Sequence, residues 1–114
     1  MTETMMETII TELIVNGGDA RGKALEAIRA ARKGDFKKAE SLMKESNESL
    51  AKAHEFQTTL IQEELNTDQK AARESNSTLL MIHAQDHLMD AMTIRDIAAE
   101  MIDLCRELHN SSDV

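Results

Sequence analysis

The chain has 114 residues and a formal charge of −8, from 21 acidic and 13 basic side chains, and it contains no proline and only two aromatic residues. This length forms one domain, residues 1–114, and the abundance of Ala, Leu, Glu, Lys, Met and Ile favours long helices over strands. No apolar run approaches the ~20 residues that a membrane span needs, so we expect no direct membrane insertion. An acidic surface also repels nucleic acid and the anionic face of a membrane.

The single cysteine and the N-terminal residues bear on the cellular compartment of the protein. Cys105 is the only cysteine, so no internal disulfide can form, which is compatible with a reducing environment. Glu3 and Glu7 stand where a secretory signal would carry basic residues. We therefore expect a cytoplasmic protein. Its charge suits partners with basic faces, although the same charge also serves simply to keep a protein dispersed.

Two breaks divide the chain into three predicted helices. Gly34 suits the C′ position that ends one helix, and Asp35 suits the N-cap of the next. The polar stretch 66–77 forms the second break. The predicted helices cover residues 4–33, 35–65 and 78–108, which makes the fold class all-α, an antiparallel three-helix bundle.

Two further local features belong to this prediction. Asn16-Gly17-Gly18-Asp19 predicts an interruption within the first helix, where Asp19 re-caps the helix after a kink. The tail from Asn110 is expected to be frayed.

The second helix has one apolar seam at three- and four-residue steps, as bundle helices do. Ser46 and Gln57 are its polar interruptions. The seam consists of Phe36, Ala39, Met43, Ser46, Leu50, Ala53, Gln57 and Leu60.

The third helix has two apolar stripes, roughly 110° apart when residues are placed at about 100° each. The first consists of Leu80, Ala84, His87, Ala91, Ile94, Ala98, Met101, Cys105 and Leu108. The second consists of Leu79, Ile82, Asp86, Met89, Thr93, Ile97 and Leu104. Two helices of the same chain can cover one stripe, so the other predicts self-association, which cyclic symmetry usually closes.

The segment His83-Ala84-Gln85-Asp86-His87 lies inside this apolar helix. Neutral imidazole is available near neutral pH as a nucleophile or a metal ligand. Residues three and four apart are neighbours on a helix, so Asp86 and His87 both lie close to His83. Because desolvating three polar side chains is unfavourable, we expect a reactive or ion-binding site here.

Four interpretations of this segment remain open. In the first, His83 attacks a phosphoryl group and carries it as phosphohistidine. In the second, His83, Asp86, His87 and Asp90 bind a transition metal, although the chain lacks the Glu-x-x-His pair of di-iron bundles. In the third, the histidines are hydrogen-bonded core residues of a non-catalytic helical adaptor. In the fourth, the chain is a histidine-phosphotransfer domain, although Asp86-His87 occupies the place of the Lys-Gly in that pattern.

The motif His83-Ala84-Gln85-Asp86-His87-Leu88-Met89, followed by Thr93, Arg95 and Asp96, resembles the lactose/cellobiose-type enzyme IIA of the bacterial sugar phosphotransferase system. The resemblance covers residues 5–108. The further matching pieces are Gly18-Asp19-Ala20-Arg21, Lys23-Ala24-Leu25-Glu26-Ala27, Lys33-Gly34-Asp35-Phe36, and Ala53-His54 with Gln57-Thr58 and Leu60-Ile61.

The resemblance implies a three-helix hairpin that assembles as a homotrimer and acts as a phosphoryl carrier. His83 would accept a phosphoryl group on Nε2 from phospho-HPr and pass it to a cysteine of the cognate IIB component. That component phosphorylates a sugar entering through IIC, here a β-linked disaccharide of the cellobiose, chitobiose or lactose class. Ala84 weakly favours a β-glucoside over lactose.

The resemblance also implies that Asp86 lies on the trimer axis and that three copies share a divalent cation, usually Mg²⁺. Three carboxylates around one axis would repel one another, and a hard cation relieves that repulsion. The alternative for Asp86 is hydrogen bonding or partial protonation.

The remaining candidates receive lesser roles. His87 is expected to support the site, and His54 either approaches the site or is an ordinary surface residue. His109 lies in the frayed end, and Cys105 is expected to be a buried, inert thiol. Asp90 stands where the family frequently has Thr, and its charge near His83 would slow or redirect transfer.

Overall fold

The computed structural model describes residues 2–66 and 77–112 and forms three α-helices there. Helix α1 spans Glu3–Arg32, α2 spans Phe36–Asn66 and α3 spans Ser77–Ser112. The predicted all-α class and the three helices are confirmed. Most of the polar stretch predicted as the second break lies outside the described residues. Asn110, predicted to be frayed, is helical instead.

The junction between α1 and α2 has the two caps that the sequence predicts. Gly34 has φ +82°, a conformation that glycine adopts without steric strain. Its N–H donates to the Ala31 carbonyl at 3.0 Å, and the Asp35 N–H donates to the Ala30 carbonyl at 2.9 Å, which is a Schellman motif. Asp35 Oδ1 then accepts from the Lys38 N–H at 3.2 Å and caps α2. Because these bonds are local, the turn is set by its own residues.

Helix α1 is the central element, because it packs against both α2 and α3 along its length, whereas α2 and α3 contact each other less. Its buried face consists largely of small side chains, which let neighbouring backbones approach closely. At one such approach the buried Ser46 Oγ donates to the Ala20 carbonyl at 2.7 Å. The buried small residues of α1 are Gly17, Ala20, Ala24, Ala27, Ala30 and Ala31.

The predicted interruption in α1 is wrong, because the helix is continuous through residues 16–19. Asp19 does not re-cap the helix; its carboxylate accepts from Ser49 Oγ at 2.6 Å and pairs with Lys23 Nζ at 3.2 Å. The Ser49 hydrogen bond, with help from Lys23, lowers the pKa of Asp19. A glycine inside a helix costs about 1 kcal/mol relative to alanine, and at Gly17 tertiary packing outweighs that local preference.

The seam predicted for α2 is confirmed, since its members are buried or half-buried against the other helices. The first stripe predicted for α3 is only partly right. Leu80, Met101 and Leu108 belong to that stripe but are exposed. The buried side chains of α3 are Met81, Ala84, Leu88, Ala91, Ala98 and Ile102. They follow alternating three- and four-residue steps, as coiled-coil seams do, so the core face is rotated from the predicted one.

The second stripe predicted for α3 lies on the side that faces away from α1 and α2, nearly opposite the observed core face. Its apolar side chains are 49–73% exposed in the single chain. Asp86 and Thr93 are also exposed. We call Leu79, Ile82, Asp86, Met89, Thr93, Ile97 and Leu104 the outer stripe. In the described residues, no helix has the length and apolar character that crossing a bilayer requires.

The close approach of α1 and α2 at Ser46 is testable by substitution. Ser46→Ala removes the hydroxyl donor to Ala20, and we expect the free energy of unfolding to fall by about 1 kcal/mol. Ser46→Leu also overpacks a fully buried position, and we expect a loss of about 2–4 kcal/mol. Equilibrium urea unfolding followed by circular dichroism measures both effects. The exposed Ser41→Ala is the matched control, and a Ser46→Leu variant as stable as that control would contradict the close packing.

Candidate functional site

Two histidine rings meet on the surface of α3, as their spacing predicts. His83 is exposed and His87 is half-buried. The two Nε2 atoms lie 3.2 Å apart, and the ring centroids lie 4.6 Å apart with perpendicular planes. An N···N contact at this distance is a hydrogen bond only if one Nε2 carries a proton and the other presents its lone pair. The pair therefore places a bare imidazole nitrogen beside an N–H donor at the protein surface.

The turn that carries His87 is held directly against α1. A Cβ built on Gly17 would lie 3.5 Å from the His87 carbonyl oxygen and 3.6 Å from Leu88 Cα. A methyl group would just fit there, and any larger side chain would push α3 away. The buried Ala84 and Leu88 anchor the same turn in the core. Gly17 is the sequence signal for this close helix contact, whereas the glycine pattern by itself predicts a kink.

A glutamine pair fixes the other side of the same turn. Gln57 Nε2 on α2 donates to Gln85 Oε1 on α3 at 2.7 Å, and both side chains are half-buried. The role of Gln85 was not predicted, although Gln57 stood out as a polar residue in an apolar seam. Among the described residues, polar links between α2 and α3 include Gln57–Gln85, Asn47–Arg95 and Glu40–Arg106.

Asp86 lies in the outer stripe, flanked along the helix by the exposed Ile82 and Met89. Asp90, one turn further, is exposed as well. Among residues 2–66 and 77–112, no group of three or more His, Cys, Asp or Glu side chains is placed to hold a metal ion. The transition-metal site considered for His83, Asp86, His87 and Asp90 is therefore not formed within the described single chain.

The other histidines and the cysteine lie elsewhere. His54 is exposed on α2. His109 does not lie in a frayed end: its ring packs edge-on against Phe36, with centroids 5.5 Å apart, and covers Gly34 at the α1–α2 junction. Cys105 packs against the core cluster beside that junction and is half-buried rather than buried. Of the four histidines, His83 and His87 are the two that the structure brings into contact with each other.

This arrangement suits chemistry between proteins. An exposed imidazole on a rigid helix can be reached by a macromolecular partner, and its neighbour can supply a hydrogen bond to a group held there. Phosphoryl transfer asks a protein mainly for such positioning and charge stabilisation.

Comparison with known proteins agrees with this chemistry. The model of the family "PTS system, Lactose/Cellobiose specific IIA subunit" matches residues 8–106. The lichenan-specific phosphotransferase enzyme IIA component of Bacillus subtilis (strain 168) is 47% identical over 103 residues, covering 90% of this chain and 89% of that protein.

Solved structures agree as well. The crystal structure of the PTS cellobiose-specific enzyme IIA from Bacillus anthracis superposes with a TM-score of 0.82 at 41% identity, covering 96% of this chain and 94% of that one. A solution structure of the IIA(chitobiose)–HPr complex of Escherichia coli gives a TM-score of 0.69 at 35% identity, covering 91% and 96%. The chain therefore belongs to the lactose/cellobiose-specific IIA family of the phosphotransferase system, whose members are phosphotransferase components that carry phosphoryl groups between proteins.

Proposed function

We propose that this protein accepts a phosphoryl group from phospho-HPr on His83 Nε2 and passes it to a cysteine of a cognate IIB component, on the cytoplasmic side of a sugar transporter. The observation that carries the proposal is the exposed His83 ring, with its Nε2 3.2 Å from His87 Nε2. Relatives named for lichenan and cellobiose support a β-linked disaccharide as the sugar. The complex of the chitobiose relative with HPr supports HPr as the donor.

The tautomer of the pair decides whether His83 can react. For His83 Nε2 to attack, it must present a lone pair, so its own proton sits on Nδ1 and His87 Nε2 carries the shared proton. The lone pair then attacks phosphorus, a P–N bond forms, and the bond from phosphorus to its donor atom breaks. In the second step the IIB thiolate attacks phosphorus, and His83 leaves as neutral imidazole.

Once His83 is phosphorylated, His87 has a second role as a hydrogen-bond donor. The contact between the two nitrogens must open when phosphorus takes the lone pair, which leaves the His87 N–H without its acceptor. A phosphoryl oxygen on His83 Nε2 then lies within reach of that donor. A hydrogen bond to a charged acceptor is worth about 1.5–3 kcal/mol. His87 is therefore a positioning residue, and it lowers the barrier to the extent that this bond is stronger in the transition state than on the phosphohistidine.

The outer stripe is proposed to be the contact between three copies of the chain. Exposed apolar surface of this extent along one helix marks an interaction site, and three equivalent copies would cover it around a threefold axis. Asp86 would then face its equivalents in a poorly hydrated setting, where three carboxylates repel one another.

A divalent cation fits that setting better than any site within one chain. Asp86 is a hard oxygen ligand, as Mg²⁺ prefers, and the described residues of one chain form no group of three His, Cys, Asp or Glu side chains that could hold an ion. The cation would therefore be held by three Asp86 carboxylates, one from each copy. Its chemistry there is to neutralise their charge, and phosphoryl transfer does not pass through it.

Substitution of the two histidines separates their roles. We expect His83→Gln to abolish incorporation of acid-labile phosphate from phospho-HPr, because the nucleophile is gone. His87→Ala should still be phosphorylated but about tenfold more slowly, as loss of one charged hydrogen bond requires, and His87→Gln should recover part of that rate. Radiolabelled transfer with single-turnover sampling measures both. The exposed His54→Gln is the control, and phosphate retained by His83→Gln would contradict the assignment.

The trimer is tested by light scattering. The wild-type protein should give three times the 12.7 kDa chain mass. Leu104→Glu places a charge in the outer stripe and should yield monomers, because a buried unpaired carboxylate is unfavourable. Gln62→Glu, an exposed change of the same charge on α2, should leave the trimer intact. A wild-type monomer at micromolar concentration would contradict the proposed interface.

The cation is tested separately. Asp86→Leu should remove the bound divalent cation and keep the trimer, because an apolar side chain relieves the buried repulsion. Metal analysis after equilibrium dialysis against Mg²⁺ or Mn²⁺ measures occupancy, with one ion expected per three wild-type chains. Asp90→Asn, one turn away, should retain the ion. Equal metal content in wild type and Asp86→Leu would rule out Asp86 as the ligand.

A further inference from the structure

The charged side chains that lie near His83 on α3 itself are acidic. Asp86 and Asp90 follow His83 by three and seven residues, lie on the same side of the helix, and are both exposed. The cations of α3 are Arg95 and Arg106, and both are engaged with acidic or amide side chains. A phosphoryl group on His83 would add a charge of about −1.5 to −2 beside the two carboxylates. A cation that offsets this charge therefore has to come from another helix.

Arg21 on α1 lies close to the histidine pair along the interface between α1 and α3. Gly17 approaches the backbone of His87, and further along both helices Gly34 approaches His109, so α1 and α3 run parallel. Arg21 follows Gly17 by one helical turn. The contact between Gly17 and His87 therefore places Arg21 within about one turn of the His87 level.

Two contacts with α2 show which way Arg21 and His83 face. Asp19, two residues before Arg21, bonds a serine of α2. Gln85, two residues after His83, bonds a glutamine of α2. Residues two apart on a helix point about 160° away from each other. Arg21 and His83 therefore both face away from α2, along the same edge of the α1–α3 interface.

The path from Arg21 to the histidine pair is open. A long side chain on a helix lies over the residues three and four positions before it, and for Arg21 these are Gly18 and Gly17. A Cβ built on Gly18 would meet no atom of the described residues within 4 Å. Arg21 lies about 6 Å beyond Gly17 along the helix axis, a length that an arginine side chain spans. Since His83 Nε2 lies 3.2 Å from His87 Nε2, the guanidinium can reach a group held there.

Arg21 is exposed and is not engaged by another side chain. In the part of the chain that the structure describes, the ion pairs involve Lys23, Arg95 and Arg106, and no side-chain hydrogen bond or ion pair includes Arg21. The other exposed cations there lie further along α1, at its junction with α2, or on α2: Arg29, Arg32, Lys33, Lys37, Lys38, Lys44 and Lys52. Arg21 is thus the described cation that the fold places beside His83.

We propose that the Arg21 guanidinium binds the oxygens of the phosphoryl group carried by His83 Nε2, as a catalytic residue of this carrier. A guanidinium donates two parallel N–H groups to a phosphate, and the His87 N–H serves a further oxygen. This contact forms only on the phosphorylated protein, opposes the repulsion from Asp90, and shifts the transfer equilibrium toward phosphohistidine. The inference rests on the proposed function, because it needs the phosphoryl group on His83.

The equilibrium of phosphoryl transfer tests the contact. Full-length protein is mixed with phospho-HPr, and the two phosphohistidines are quantified by phosphorus NMR. The equilibrium constant for uptake should fall about fivefold in Arg21→Gln, as loss of one exposed charge-assisted contact requires. Arg21→Lys keeps the charge without the two-pronged geometry and should lose less. Arg29→Gln, about 12 Å further along α1, should match the wild type, because the Debye length is about 8 Å.

A pH titration of the isolated phosphoprotein by phosphorus NMR separates this contact from a structural role. A phosphoryl group on a side chain loses its second proton at about pH 6. A neighbouring cation favours the doubly charged form, so Arg21→Gln should raise the pKa of the phosphoryl group by about 0.5. Arg29→Gln should leave that pKa unchanged. Circular dichroism melting confirms that each variant is folded.

The titration decides the proposal. A phosphoryl pKa in Arg21→Gln equal to that of the wild type would overturn it; slower transfer from phospho-HPr with that pKa unchanged would assign Arg21 to contact with the partner protein instead. The proposed function fails by a different result, which is phosphate retained by His83→Gln. A wild-type protein that takes up no phosphate would contradict both.

Discussion

The small-residue face of α1 is the constraint on which the rest of the structure depends. Because Gly17, Ala20 and the alanines that follow present almost no side-chain volume, α2 and α3 can both pack their backbones close to α1. Tertiary packing of this kind supplies most of the stability of helices in proteins. The same closeness fixes the turn of α3 that carries His87. The core packing and the geometry of the histidine pair therefore have one origin.

The histidine pair shows how one helix can present two imidazole rings side by side at its surface. Residues four apart on a helix are neighbours, so His83 and His87 would approach in any regular helix. The surroundings set what the pair can do. Gly17 and Gln57 hold the turn from two sides, and His83 stays exposed while His87 is half-buried. The role proposed for His83 requires access by two protein partners in succession, and an exposed helix surface suits that role better than a pocket built for one small substrate.

Features governed by local interactions could be predicted from the sequence, and features governed by tertiary packing could not. The Gly34-Asp35 turn follows from backbone conformation and nearby hydrogen bonds, so its caps were predictable. The α2 seam was predictable because its apolar residues follow regular three- and four-residue steps. Its two polar members, Ser46 and Gln57, lie at the same steps and do not interrupt them. The continuity of α1 was not, since the local preference of glycine is overridden by contact with α3. The core face of α3 was also misplaced, because exposed apolar residues on both flanks obscured it.

The exposed apolar residues of α3 are more extensive than solubility requires, because a single chain leaves the whole outer stripe uncovered. Apolar surface of this kind is satisfied by contact with like surface. The exposed His83 directly follows Ile82 of the outer stripe in the chain, so a copy packed along α3 would lie beside the histidine pair. Assembly along α3 and access to His83 are therefore linked by one helix.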